Sequence, residues 1–337
     1  MKFAFMCREP SNRRGNIAVI GAGPAGLAAT GYLACQGYEV DVYEKLPYAG
    51  GTMMFAIPSY KISSDSIIEG VEDLRDRFSV KFFFRTKVFR YGQSRNDFGD
   101  EFVERVVQLE NIVEKYSAIL ISTGTWQPIN IAENVKNVIT AFGYLYSWRL
   151  HEEGFSSNQI GRGRRAAVIG TDIPAVEVVR KMIEQGFEEI YVLYGGRASE
   201  THMGWYWMTN LYKENVKLMR YIDIKRVVVE HDFAKALEYT EFDYKASQHT
   251  TKLIEVDLVV VSLGSKPTPP ALYNSKDIGL DDSGRIVVDG QFRTKIEKVY
   301  ASGSIVYGLI YKLGRAFRDG LNAAKNIDLY LYRRRYA

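Results

Sequence analysis

The feature that most constrains the fold is a glycine-rich turn between a strand pattern and a helix pattern near the start of the chain. The turn, Gly21 to Gly26, reads GAGPAG; it follows the apolar run Asn16–Ile20 and opens a helix of small residues that begins at Pro24. The first glycine permits a tight turn, the second lets a pyrophosphate approach the backbone, and the third lets the helix pack on the strand. The helix start faces the phosphates with free N–H groups and the positive end of its dipole. The pattern predicts a dinucleotide-binding βαβ unit.

The strand that follows this helix ends in an acidic residue. Glu44 closes an alternating strand that begins at Glu39, at a spacing that lets its carboxylate accept hydrogen bonds from a ribose. Strand, loop, helix, strand and terminal acid together are far more specific than the glycines alone. The predicted phosphate-facing residues of this unit are Gly21, Gly23, Pro24, Ala25 and Gly26.

The same pattern starts again about 145 residues later. A strand over Ala166–Ile169, a turn, a helix from Pro174 and a strand over Glu189–Tyr194 repeat the βαβ order. Each unit closes on an apolar strand and a glycine turn, the second of these turns ending at Gly264. We therefore predict an α/β fold with two Rossmann-like dinucleotide-binding domains, the second inserted in the first. The predicted boundaries are 1–125 with 276–337 for the first domain and 126–275 for the second.

Composition narrows the function classes. The chain has 337 residues, 46% of them hydrophobic, and a formal net charge of +4 from basic residues that form no stripe, which disfavours nucleic-acid binding. Cys7 and Cys35 are the only cysteines and are not spaced as a redox pair, which excludes a four-cysteine zinc or iron–sulfur site and a CxxC motif. We expect no metal site, no membrane span and no secretory leader, and a cytoplasmic location.

Two stretches carry a family resemblance. GAGPAGLAATGYL and VYEKLPYAGGTMMFAIPSYKI resemble the flavin domain of the glutamate synthase small-subunit family, and the likeness continues through ISTGTW, YASGS and AFRDGLNAA. That family belongs to the flavoproteins with two dinucleotide-binding domains, alongside thioredoxin reductase-like enzymes. The resemblance implies FAD in the first domain and NADPH or NADH in the insert. It implies that the ADP half of FAD meets Glu44, Lys45, Gly51 and Thr52, that Val88 meets the adenine, that Thr123 and Gly124 mark the crossover, and that Ile57 runs beside the flavin.

The second glycine loop departs from the family pattern. Gly170, Thr171, Asp172 and Ile173 stand where the family has GxGxxA, so a carboxylate replaces the glycine that lets a pyrophosphate approach. Two arrangements would relieve the repulsion between this carboxylate and a pyrophosphate: Asp172 caps the helix that follows, or an arginine neutralises its charge. The candidate arginines are Arg164, Arg165 and Arg197.

Two further departures affect ligand-facing positions. After the strand that ends at Tyr194, two glycines replace the arginine pair that the family uses on the 2′-phosphate of NADPH, and only Arg197 follows. At the C-terminal strand, Gly303 and Ser304 replace the family's Gly-Asp, so a neutral hydroxyl stands where a carboxylate would bind the ribityl chain. We expect this change to weaken FAD binding, because charge-assisted hydrogen bonds are the stronger kind.

These observations favour an FAD-dependent oxidoreductase that passes electrons from NAD(P)H through flavin to a partner protein or a diffusible acceptor. No acid, base or nucleophile is assigned, because the cofactor carries the covalent chemistry. The alternative is a flavin-binding electron-transfer or structural subunit of a larger complex that does not itself oxidise NAD(P)H. An iron–sulfur or large catalytic subunit is the expected partner, and a homo-oligomer remains open.

Overall fold

The computed structural model describes residues 2–4, 7–157, 163–195, 209–211, 215–243, 248–272, 278–308 and 312–336. The chain forms two compact units, here called unit 1 (residues 1–127 and 265–337) and unit 2 (residues 128–264). Each unit contains a parallel five-stranded sheet, and unit 2 interrupts unit 1 in the sequence. The predicted α/β class with one dinucleotide-type domain inserted in another is confirmed.

Unit 1 begins with the predicted βαβ unit and ends with the last strand of the same sheet. Its elements in chain order are β1 (Asn16–Ile20), α1 (Pro24–Cys35), β2 (Glu39–Tyr43), α2 (Thr52–Phe55), α3 (Ser64–Phe78), β3 (Lys81–Phe83), β4 (Thr86–Phe89), β5 (Arg105–Gln108), α4 (Leu109–Lys115), β6 (Ala118–Ile121), β17 (Val299–Ala301), α7 (Ser304–Tyr307) and α8 (Leu313–Tyr336).

The sheet of unit 1 has the strand order β17-β6-β1-β2-β3. All of its neighbouring pairs are parallel, and β6 is buried along its whole length. Such two-sided burial is typical of parallel sheets covered by helices, and it explains why these strands are continuous apolar runs. Because β1 is central, the loop that follows it opens at the carboxyl edge of the sheet, where doubly wound folds bind their ligands.

Helix α1 is buried over most of its surface. Eight of its twelve residues are buried, and its small side chains let neighbouring backbones approach closely. A Cβ atom added at Gly31 would lie 2.1 Å from the carbonyl oxygen of Phe3, and one at Gly320 would lie 2.0 Å from the carbonyl oxygen of Ala25. The N-terminal segment and α8 therefore both pack directly against α1.

The two cysteines of the chain are joined. Cys7 and Cys35 form a disulfide between the N-terminal segment and the last residue of α1, with their Cα atoms 5.9 Å apart. The spacing of the two cysteines did not predict this bond, because residues 28 positions apart in sequence meet only when the N-terminal segment folds back on α1. The exclusion of a CxxC motif is unaffected.

Unit 2 has a second parallel sheet and an antiparallel sheet. The parallel strand order is β11-β10-β9-β15-β8, and β12, β13 and β14 form the antiparallel sheet, which the sequence patterns did not predict. The elements of unit 2 are β8 (Val138–Thr140), α5 (Ala141–Glu152), β9 (Arg165–Ile169), α6 (Ile173–Glu184), β10 (Glu189–Tyr194), β11 (Val216–Arg220), β12 (Ile222–Glu230), β13 (Phe233–Asp243), β14 (Gln248–Glu255) and β15 (Leu258–Val261). At the sequence boundaries of the two units, the two-residue strands β7 (Gln127–Pro128) and β16 (Ser265–Lys266) pair with each other.

Within the described parts of the chain, we find no helix with the length and apolar character needed to cross a bilayer.

Candidate functional site

The glycine loop of unit 1 has the backbone geometry that close approach requires. Gly21 has a φ of +96°, and a Cβ atom there would lie 2.7 Å from the carbonyl oxygen of Ser122. A Cβ atom at Gly26 would lie 2.0 Å from the carbonyl oxygen of Gly21. A Cβ atom at Gly23, by contrast, would meet nothing within 4 Å. Two of the glycines are therefore required by packing inside the protein, whereas Gly23 faces open space.

The start of α1 next to Gly23 carries no side-chain cap. Gly23 is the N-cap residue, Pro24 occupies the first turn, and no side chain accepts a hydrogen bond from the helix start. The first N–H groups of a helix need partners from outside it, and the helix dipole favours an anion at this end. Gly51 follows with a φ of +54°, and a Cβ atom there would lie 3.0 Å from the Cα atom of Gly23. This helix start is open to an anionic ligand.

The acidic residue at the end of β2 is tied to the loop. The carboxylate of Glu44 accepts hydrogen bonds from the backbone N–H groups of Ala22, at 2.6 Å, and Leu46, at 3.0 Å. Burial raises the pKa of the Glu44 carboxyl above its usual value, and these two N–H groups oppose that shift. Glu44 thus holds the glycine loop in place while it lines the cleft beside it.

A network of charged side chains lies at the end of the cleft next to Val88. Lys45 donates to Asp100 at 3.0 Å, and Lys87 contacts both Asp97, at 3.2 Å, and Asp100. Arg95 donates to Asp97 at 2.8 Å and to backbone carbonyl oxygens at 2.8 and 2.9 Å. Burial lowers the pKa of the Lys45 ammonium, although the neighbouring carboxylates oppose the shift. The network fixes the segment 95–100 against the cleft.

Sequence reasoning missed most of this network. Lys87, Arg95, Asp97 and Trp126 all line the same cleft as the glycine loop, and the ammonium of Lys45 lies 5.0 Å from the centroid of the Trp126 ring. Lys87 lies one residue before Val88 on β4, and since successive side chains of a strand face opposite sides, the prediction for Val88 gave no signal for Lys87.

The C-terminal part of unit 1 also lines the cleft. Gly303 has a φ of +79°, and a Cβ atom there would lie 3.0 Å from the Cβ atom of Ala25. Ser302 is 1% exposed and lines the cleft, and its Oγ atom has no hydrogen-bond partner among the described residues. A buried hydroxyl without a partner costs free energy, so its position in a cleft indicates a ligand that supplies the partner.

The structure brings most of the predicted unit 1 residues together. Thr123 donates through its hydroxyl to the carbonyl oxygen of Thr268 at 2.7 Å, and Gly124 accepts from the backbone N–H of the same threonine at 2.9 Å. Ile57 and Gly26 do not line the cleft. The predicted residues that do line it are Gly21, Gly23, Pro24, Ala25, Glu44, Lys45, Gly51, Thr52, Val88, Thr123, Gly124, Gly303 and Ser304.

The glycine loop of unit 2 repeats the backbone of the first but not its open helix end. Gly170 has a φ of +114°, and a Cβ atom there would lie 2.3 Å from the carbonyl oxygen of Ser262. Asp172 is the N-cap of α6, and its Oδ1 atom accepts from the backbone N–H of Ala175 at 3.1 Å and from the hydroxyl of Ser262. The carboxylate of Asp172 therefore occupies the helix end where a pyrophosphate would bind.

Two of the three arginines suggested as neutralising partners of Asp172 pair with other acidic residues. Arg164 pairs with Glu188 at 2.7 Å, and Arg165 pairs with Glu255. Arg197 lies outside the described residues. Thr171 is buried, Ile173 begins α6, and Gly264, with a φ of +89°, ends unit 2. Of the two explanations for Asp172, the structure shows the helix cap.

The chain has recognisable relatives among characterised sequences and structures. The sequence profile of the pyridine nucleotide-disulphide oxidoreductase family matches residues 15–324. The putative glutamate synthase [NADPH] small chain of Cereibacter sphaeroides is 28% identical over 95% of this chain and 78% of its own length. The glutamate synthase [NADPH] small chain of Azospirillum brasilense is 26% identical over 96% and 68%. Mycobacterium tuberculosis FprA in complex with NADPH has a similar fold, with a TM-score of 0.76, 16% identity and coverage of 96% and 86%.

Proposed function

Because the chain belongs to the pyridine nucleotide-disulphide oxidoreductase family, we propose that it is a flavoprotein that binds FAD in unit 1 and transfers electrons from NADPH through the flavin to a second acceptor. FAD supplies the redox chemistry when it is bound, and the protein supplies binding, alignment and electrostatics. NADPH is the nicotinamide cofactor in the names of the relatives in Cereibacter sphaeroides and Azospirillum brasilense.

One observation carries the FAD assignment: the uncapped start of α1 beside open space at Gly23. The N–H groups of this helix end would bind the pyrophosphate, and the dipole would stabilise its charge. The buried Oγ atom of Ser302 supports the same assignment, because it lines the cleft and has no partner among the described residues. The residues of unit 1 fit a dinucleotide.

The remaining residues of the cleft would orient the cofactor. Ser304, which lies next to Gly303 at the start of α7 and lines the cleft, would offer a neutral hydroxyl to the ribityl chain. At the other end Val88 would meet the adenine, and the Lys87–Asp97 pair would hold the wall of the cleft beside it. Glu44 would accept from the ribose only with oxygen lone pairs that Ala22 and Leu46 do not use.

The residues of unit 2 fit NADPH less well. The cap formed by Asp172 competes with a pyrophosphate for the N–H groups of α6, and the two negative charges repel each other. This observation favours the second candidate function, a flavin-binding electron-transfer or structural subunit that does not itself oxidise NADPH.

The partner belongs to the same proposal. The two relatives are named as small chains of glutamate synthase, and we propose that this chain likewise delivers electrons to a larger catalytic or iron–sulfur subunit.

An anaerobic titration separates the two candidate functions. The protein is loaded with FAD, freed of oxygen and titrated with NADPH and, separately, with NADH, while the visible flavin absorbance is followed. Loss of that absorbance at one equivalent of reductant supports the oxidoreductase. A spectrum that neither nucleotide changes, while dithionite bleaches the same sample, contradicts NAD(P)H oxidation and supports the second candidate.

A further inference from the structure

The N-terminal segment of the chain, here called the arm (residues 2–4 and 7–15), is fastened to α1 by a covalent bond. The disulfide joins Cys7 of the arm to Cys35, the last residue of α1. Both cysteines are partly exposed to solvent. The rise of about 1.5 Å per residue places Cys35 roughly 17 Å along α1 from the glycine loop, so this bond lies apart from the proposed flavin chemistry.

The arm packs on α1, a helix that has no continuous polar face. Phe3 and Ala4 are buried, and the backbone of the arm passes Gly31 of α1 so closely that a Cβ atom there would lie 2.1 Å from the carbonyl oxygen of Phe3. The ring of Phe3 stacks with that of Phe317 on α8, with centroids 6.4 Å apart. Removal of the arm would therefore expose apolar surface on α1 and α8.

Weak bonds hold the rest of the arm. The backbone N–H of Ser11 donates to the carbonyl oxygen of Cys35 at 2.8 Å, and Arg77 on α3 donates to the carbonyl oxygens of Cys7 at 3.3 Å and Arg8 at 3.0 Å. Contacts of this kind reform readily after they open, so the disulfide is the one bond in this set whose state depends on the redox environment.

The fold does not depend on this bond for a core. Structural disulfides concentrate in small secreted domains whose hydrophobic cores are insufficient. Here unit 1 has an extensive core in which β1, β6 and β17 are almost fully buried. A bond that the core does not require, placed at the surface between an arm and a helix end, is suited to reversible opening.

We propose that the Cys7–Cys35 disulfide is a thiol-exchange site whose reduction by a dithiol releases the arm from α1. A thiolate of the dithiol attacks Sγ of Cys35, the Sγ–Sγ bond breaks, and Cys7 leaves as a thiolate that takes up a proton. The second thiol of the reductant then closes its own disulfide and releases Cys35. Two electrons move from the dithiol to the protein.

The direction of attack follows from the surroundings of the two sulfurs. Cys35 is at the negative end of the α1 dipole, which disfavours a thiolate there. The guanidinium of Arg77 donates to the backbone carbonyl oxygen of Cys7 at 3.3 Å, and a positive charge near this residue favours a thiolate there. Because the better-stabilised thiolate leaves faster, the mixed disulfide forms on Cys35.

Limited digestion with trypsin tests the release, since the arm contains Arg8, Arg13 and Arg14. The full chain is incubated with or without dithiothreitol, cleavage within the arm is timed by mass spectrometry, and iodoacetamide labelling reports the free thiols. We expect no labelling before reduction, labelling of both cysteines after it, and cleavage after Arg8 at least tenfold faster. Closure of a 28-residue loop by a disulfide predicts a melting temperature roughly 5 °C lower in the reduced protein.

The double variant Cys7→Ser/Cys35→Ser is the matched control. Its arm should be cleaved at the rate of the reduced wild type whether or not dithiothreitol is present. If the variant does not fold, the comparison of oxidised with reduced wild type decides alone. Free thiols in the untreated protein, or unchanged cleavage after both thiols are labelled, would overturn the proposal. None of these measurements depends on FAD or NADPH, so the proposal stands or fails separately from the proposed function.

Discussion

Replacement of Asp172 by glycine should strengthen the binding of NADPH to unit 2. The Oδ1 atom of Asp172 lies 3.1 Å from the N–H of Ala175 at the start of α6, so a pyrophosphate must displace the carboxylate or bind next to it. Two unit charges about 5 Å apart at an effective dielectric of about 20 repel each other by about 3 kcal/mol. Salt and partial exposure reduce this to roughly 1.5–3 kcal/mol, which corresponds to a 10- to 100-fold lower dissociation constant for Asp172→Gly.

The cost of this substitution to the fold should be moderate. A glycine N-cap is only a few tenths of a kcal/mol worse than an aspartate, but the buried hydroxyl of Ser262 also loses its acceptor, at a cost of about 1–3 kcal/mol. The variant should therefore melt roughly 2–6 °C below the wild type. Asp172→Asn is the matched control, because it keeps the cap and removes the charge, and it should give an intermediate affinity. The assay is isothermal titration of each protein with NADPH. An Asp172→Gly variant that folds and binds NADPH within twofold of the wild type would refute the competition argument.

Four other substitutions test unit 1. Gly23→Ala should fold normally, because a Cβ atom there meets no protein atom within 4 Å, and should lose FAD affinity, because that Cβ atom would enter the space proposed for the pyrophosphate. Gly26→Ala should melt at a lower temperature, because its Cβ atom would lie 2.0 Å from the carbonyl oxygen of Gly21. Thermal melts and flavin-fluorescence titrations of both variants check these outcomes, and equal FAD affinity for Gly23→Ala and wild type would count against the phosphate site. Ser302→Ala should leave the melting temperature of the FAD-free protein unchanged or raise it, because the Oγ atom of Ser302 has no hydrogen-bond partner among the described residues. The same variant should raise the dissociation constant for FAD about 3- to 10-fold. An unchanged dissociation constant would contradict a contact between Ser302 and FAD. Burial alone would raise the pKa of Asp100, but Lys45 and Lys87 outweigh it and hold that pKa below its usual range. The ionised carboxylate therefore stabilises the fold above about pH 4, and this contribution is lost as the pH falls further. Asp100→Asn should be less stable than the wild type at pH 7 and should lose less stability on acidification, and parallel acid-denaturation curves for the two proteins would show the reasoning to be wrong.

Local patterns predicted the parts of the fold that local physics determines. The glycine loop before α1 and the loop before α6 each combine a strand, a turn that needs positive φ and a helix start, and the structure places both where the pattern indicates. The sequence suggested two explanations for Asp172, a helix cap and neutralisation by an arginine, but could not decide between them. The choice depends on Ser262, which comes within hydrogen-bonding distance only when β9 and β15 pair.

Features that depend on distant residues were not predicted. Cys7 and Cys35 meet only because the arm folds back on α1, a path that no cysteine spacing encodes. Arg95, which pairs with Asp97, donates to the carbonyl oxygens of Pro269 and Ala271, more than 170 positions away in the sequence. The antiparallel sheet of β12, β13 and β14 was missed because its exposed strands have a mixed polar and apolar pattern.

The FAD content of the folded protein tests the central claim most directly. The purified chain is incubated with excess FAD, freed of unbound cofactor, and denatured by heat so that the released flavin can be identified and counted against protein. We predict FAD, rather than FMN, at one per chain. A folded protein that retains no flavin after this treatment would contradict the assignment of the open helix end beside Gly23 as a dinucleotide site.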